Sequence, residues 1–196
     1  MRTNYTEIEL DALRELANIG SGTAATALSE LLDIPIDVTV PTAAALPLAD
    51  AIDATGPAEL CVTGVAIPLA GQLAGTALML FPQDDVSTLC SLLGLEPEGE
   101  LAASALGEVV NILCASYLGA LSDMSGLQFE LGPPAQVVDM LGAIIGSILA
   151  MNASAGDAAL MLDSALIIKG QACSLSFLLI PAADGVDELL TQLGLG

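Results

Sequence analysis

The chain has 196 residues, 54% of them hydrophobic, with no Trp, two Tyr and three Phe, so its core must be built from Ala, Leu, Ile and Val. It has no His, which removes imidazole base catalysis and His metal ligands. Twenty-four acidic residues against Arg2, Arg14 and Lys169 give a net charge of −21, a surface that repels phosphate backbones and anionic lipid and so excludes nucleic-acid and membrane-surface partners.

Taken in chain order, "MRTNYTEIEL" is polar and acidic and does not read as a signal peptide. Thr6 and Glu9 stand as a capping box at the start of a long helix. Residues Ile34–Val40 alternate as a half-buried strand that ends at Pro41. Ala58–Pro68 and Leu73–Phe81 follow as an antiparallel pair. The uncharged run Leu60–Gln83 is long enough to raise a membrane span, but its prolines, glycines and Gln72 favour buried strands. A closing helix leads to "LLGL". A second long helix and the strand Leu127–Leu131 come next, with Pro134 beyond it. "MLGAIIGSILAM", Met140 to Met151, reads as an extra, charge-free helix without a counterpart in the first half. The strand pair Ala159–Ile168 and Ala172–Ile180 and a last helix complete the chain. Cys61, Cys90, Cys114 and Cys173 lie far apart in apolar surroundings, which favours small buried hydrophobes over a metal site or disulfides.

Residues 7–41 align without gaps onto residues 100–134, matching Glu15 with Glu108, Asn18 with Asn111, Leu28 with Leu121 and Pro41 with Pro134. "GQLAGTALMLFP" (71–82) is repeated as "GQACSLSFLLIP" (170–181). The expectation is one α/β (α+β) domain made of two repeats, about 6–95 and 99–196. Pseudo-two-fold symmetry relates them, with long helices packed on a mainly antiparallel sheet.

On a helix advancing about 100° per residue, Asp11, Glu15, Asn18 and Gly22 fall within about 60° of one another, opposite Leu13, Ala17, Ala24 and Leu28. Ser104, Glu108, Asn111 and Ala115 do the same in the second repeat. A solvated helix face is the plain reading of one such stripe. Asn is a poor interior helix residue, and its recurrence beside Glu points to use, although common descent of the repeats would also preserve it. A carboxamide donates and accepts hydrogen bonds, so it can orient a water without acting as a strong base, much as a glutamine does in GTPases. With no nucleophile, metal site or phosphate cradle beside it, such a pair is catalytic only inside another protein's active site. "GSGTAA", Gly20 to Ala25, imitates a dinucleotide fingerprint but lies within a helical pattern with no strand before it. Its small residues suit close approach to the twin helix or to a partner's backbone. Ser21 and Ser116 have no base and are not hydrolase nucleophiles.

An acidic residue or Ser, then Glu four residues on, Asn three further and Pro twenty-three beyond that, resembles the signature of the CheC/CheX/FliY phosphatase family. It occurs as Asp11, Glu15, Asn18 and Pro41, and again as Ser104, Glu108, Asn111 and Pro134. Thr23 departs from the Asn that CheC-like sequences often carry. The resemblance covers essentially the whole chain and implies a phosphatase acting on the chemotaxis response regulator phospho-CheY. By the same resemblance, Asn18 and Asn111 orient the attacking water and Glu15 and Glu108 engage a lysine of the regulator. The regulator also supplies Mg²⁺, and this chain binds no cofactor or metal of its own. Asp11 and Ser104 either support the Glu or are solvated, and Pro41 and Pro134 fix a turn.

The same resemblance implies a rival, an adaptor that binds the receptor deamidase CheD, with Ile145 and Ile148 on the charge-free helix as the docking residues expected for it. A buried helix is the alternative for that segment. A flagellar-switch component of the FliY type would require a further domain. A surface with one lysine suits a cytoplasm holding molar salt, where the screening length falls to ~3 Å, so a cytoplasmic, halophilic protein without membrane insertion is expected.

Overall fold

A computed structural model describes residues 6–39, 42–97, 99–151, 158–182 and 185–194. Helix α1 (Glu7–Leu32) starts at the expected capping box: Thr6 Oγ1 accepts from the Glu9 amide at 3.3 Å while the Glu9 carboxylate accepts from the Thr6 amide. Asp33, in the left-handed conformation, ends it. Then come β1 (Ile36–Val38), β2 (Thr42–Pro47), α2 (Leu48–Thr55), β3 (Cys61–Gly71), β4 (Gly75–Pro82) and α3 (Gln83–Leu92). The second half repeats this succession as α4 (Glu100–Ser125), β5 (Phe129–Leu131), β6 (Ala135–Met140), α5 (Leu141–Met151), β7 (Ala158–Ile168), β8 (Gln171–Pro181) and α6 (Gly185–Gln192).

The eight strands form one sheet in the order β1-β7-β8-β4-β3-β5, with β2 also on β7 and β6 also on β3. All of these pairings are antiparallel. At the centre, Leu78 pairs with Leu178 and Met79 with Phe177. In the sequence repeat Phe177 is the counterpart of Leu78 and Leu178 that of Met79, so the pseudo-two-fold axis passes through this quartet. The β7–β8 connection is a two-residue turn at Lys169 and Gly170, both at positive φ (53° and 79°) as a type I′ hairpin requires.

Helices α1 and α4 cover one face of the sheet. Alternate residues of the central strands, Ala77, Met79 and Phe81 with Leu175, Phe177 and Leu179, meet Leu13, Leu28, Val110 and Leu113 there in the larger core. The intervening residues Leu78, Leu80, Leu178 and Ile180 face a smaller core closed by Ala51 of α2 and by Leu141, Ile144 and Ile145 of α5. The central strands therefore bury both faces, which is why they read as continuous apolar runs.

Three expectations are corrected. The helix after Met140 does have a counterpart, α2, and each is preceded by a strand, β2 or β6, that sequence reading passed over. Ile145 and Ile148 are 2% and 8% exposed and fill the second core, because that face of the sheet needs an apolar cover. Neither is available for docking. Cys61 is exposed, whereas Cys90, Cys114 and Cys173 are buried and unpaired, with burial pushing the Cys114 thiol up to about 12. Leu60–Gln83, the run that raised a membrane span, is the β3–β4 hairpin. Among the described residues α4 is the helix long and apolar enough to cross a membrane, and half of its most apolar window is buried in the larger core.

Candidate active centres on two paired helices

The two long helices approach each other closely because one of them carries glycine at the contact. A Cβ on Gly20 would lie 2.6 Å from the Tyr117 ring and 2.9 Å from the Tyr117 Cα, so only glycine fits here. Tyr117 is itself held, its hydroxyl 3.0 Å from Ser164 Oγ and its ring 5.4 Å from that of Phe177. The spurious nucleotide fingerprint is thus a packing device in the middle of α1. Gly22, by contrast, is exposed, with nothing within 4 Å of a Cβ built there. Ser21, buried, donates to the Asn18 carbonyl at 3.0 Å, and Ser116 is also buried, so neither presents a nucleophile.

With Leu13, Leu16, Ala17, Gly20, Ala24 and Leu28 buried, the opposite side of α1 presents Asp11, Glu15 and Gly22 to solvent, with Asn18 half-buried beside them. On α4 the buried face runs through Leu106, Val109, Val110, Leu113 and Tyr117, and Ser104, Glu108, Asn111 and Ala115 are all exposed. Both helices lie on the same face of the sheet, so the two stripes share one surface, with Glu15, Glu108 and Asn111 exposed on it and Asn18 half-buried. Pro134 sits in the connection between β5 and β6, exposed, and Pro41 lies outside the described residues.

The surroundings of the two pairs differ. Arg14 Nη1 lies 2.5 Å from Asp11 Oδ1, an exposed ion pair on the α1 stripe. At the matching positions α4 has Gly107 and Ser104, both uncharged. The Oδ1 of Asn18 is buried without a hydrogen-bond partner, whereas Asn111 is exposed. A buried acceptor left unpaired costs free energy, and such groups call for an explanation. The first difference is already present in the sequence as Arg14 against Gly107 and Asp11 against Ser104, whereas the burial of the Asn18 oxygen is not, because residue types alone do not fix it. Among the described residues no group of three His, Cys, Asp or Glu could hold a metal ion.

A second surface feature lies on the far side of the sheet. Strand β6 is exposed along its whole length, with Val138 57% and Met140 51% exposed. Beside it a groove of about 610 Å³ runs between β6, parts of the interior strands β3, β4 and β8, and α5, lined by Val137, Ile144, Ser147 and Pro181 among others.

The sequence profile of the CheC-like family matches residues 8–44 and 101–138, the two segments that carry the Glu/Asn pairs. The chain is 32% identical to the CheY-P phosphatase CheC of Bacillus subtilis over 96% of its own length and 95% of that protein. It is 26% identical to the putative CheY-P phosphatase CheC1 of Halobacterium salinarum over 70% of its length and 72% of that protein. Its fold matches the crystal structure of FliY from Thermotoga maritima with a TM-score of 0.75 at 21% identity, covering 97% of this chain and 98% of that one.

Proposed function

This chain belongs to the CheC-like family, and from that premise we propose that it is a phosphatase of the chemotaxis response regulator phospho-CheY. The observation that carries the reading is the pair of outward Glu/Asn stripes on α1 and α4, in the two segments that the family profile matches. Each helix enters the regulator's active site, where the carboxamide of Asn18 or Asn111 holds a water in line with the aspartyl phosphate. The water attacks phosphorus, the aspartate carboxylate leaves, and inorganic phosphate is released. Glu15 or Glu108 holds a lysine of the regulator, and the Mg²⁺ belongs to the regulator. This chain supplies position and no base, which suits a site without His.

The test is the pair Asn18→Ala and Asn111→Ala. Each single variant keeps part of the activity, and the double variant falls to the regulator's own rate of phosphate loss. A positioning loss of ~3 kcal/mol corresponds to about a hundredfold per centre. Glu15→Ala and Glu108→Ala act chiefly by raising the regulator concentration needed for half-maximal rate. A double asparagine variant as fast as the parent chain would sink this assignment.

A second reading, an adaptor for the receptor deamidase CheD, rests on the exposed Val137, Val138 and Met140 of β6 and the groove beside them. Ile145 and Ile148 have no part in it. Val138→Glu with Met140→Glu should abolish retention of CheD on the immobilised protein and leave phosphatase activity in place. Retention unchanged by the double substitution removes this surface from consideration.

A further inference from the structure

We propose that Arg14 is a phosphate-contacting residue of the first centre: when the regulator docks, its guanidinium leaves Asp11 and takes an anionic oxygen of the phosphoryl group. The inference rests on the phosphatase reading above and deepens it. Three basic residues occur in the chain. Arg2 lies outside the described residues, and Lys169 donates to the Leu92 carbonyl at 3.1 Å, away from both centres. Arg14 stands one turn before Asn18 on α1, about 40° from it around the helix. A protein of charge −21 repels a phosphorylated partner site, and a cation at the point of entry offsets that repulsion locally. The planar guanidinium fork matches phosphate oxygens, which a point charge does less well.

Arg14 is also free to move. Its side chain is 45% exposed and that of Asp11 is 71% exposed, and an exposed pair of this kind binds weakly. The second centre has Gly107 at the same place, so the cation is a property of the first centre alone. Gly107 has nothing within 4 Å of a Cβ built there, which leaves room for an arginine to be transplanted.

Kinetics on single-centre enzymes test the proposal. In the Asn111→Ala background, where the first centre works alone, Arg14→Ala should raise KM for the phosphorylated regulator about tenfold and change kcat less than twofold, and Arg14→Lys should restore part of the loss. In the Asn18→Ala background, Gly107→Arg should lower KM. Binding of the beryllofluoride-loaded regulator should weaken in Arg14→Ala while binding of the unmodified regulator stays the same. Circular dichroism and thermal melts confirm that each variant is folded. An unchanged KM, or equal weakening towards loaded and unmodified regulator, overturns the phosphate contact. Residual activity in the double asparagine variant would instead overturn the underlying phosphatase centres, so the two failures are separable.

Discussion

The two long helices carry the same Glu/Asn pair on different foundations. Helix α1 begins with a reciprocal cap, holds an ion pair beside its glutamate, half-buries its asparagine and gives up a side chain at Gly20 to admit Tyr117. Helix α4 begins at Gly99 with no side-chain cap, exposes its asparagine and supplies the tyrosine. The Glu and Asn recur at matching positions, as do the buried Leu13/Leu106 and Leu28/Leu121, while the outward pairs Asp11/Ser104 and Arg14/Gly107 and the packed pairs Gly20/Leu113 and Ala24/Tyr117 differ.

The sharpest way to break this comparison is Gly20→Leu. The new side chain has no space against Tyr117, and the expected loss is about 3 kcal/mol, read as a fall in the urea midpoint. A loss below ~1 kcal/mol would mean that the helices separate easily and that the contact does not hold the two stripes in register. Next in size is a difference between the two asparagines. Asn18→Ala removes a buried acceptor that has no partner and also improves helix propensity, so it should stabilise the fold by about 1–2 kcal/mol. Asn111→Ala, at an exposed position, gains propensity alone, about 0.5 kcal/mol. Equal gains in thermal denaturation would erase the difference between the two sites. The smallest effect concerns the start of α4, which has no side-chain cap: Gly99→Ser should add a few tenths of a kcal/mol, read in thermal denaturation.

Much of this was legible in the sequence for identifiable reasons. The capping box is a local pattern, and the stripes on α1 and α4 follow from helical periodicity, so both could be placed without coordinates. The strands with apolar runs were found because central strands bury both faces. Strand β6 was missed because all six of its residues are exposed, so "AQVVDM" shows no alternation. Strand β2, "TAAALP", is half alanine, a weak strand former, and the short helix after it carries Asp50 and Asp53 where α5 carries no charge. Missing those elements left α5 without a twin and made Ile145 and Ile148 look like a free surface. A charge-free helix is either cover or dock, and only the second face of the sheet decides between them. The Asp11–Arg14 pair and the inward oxygen of Asn18 depend on rotamers, which periodicity does not fix.

The strand order has a consequence for how such a chain comes into being. Strands β1 and β2 of the first half find their partner in β7 of the second, while β5 and β6 find theirs in β3. Neither half can finish its own sheet edge, so the amino-terminal half leaving the ribosome must wait for residues near Ile168 before Ile36 can pair. The arrangement is that of two exchanged subunits joined end to end. Joining them makes the assembly intramolecular, so its stability is independent of protein concentration, whereas an equivalent pair of separate chains would dissociate on dilution.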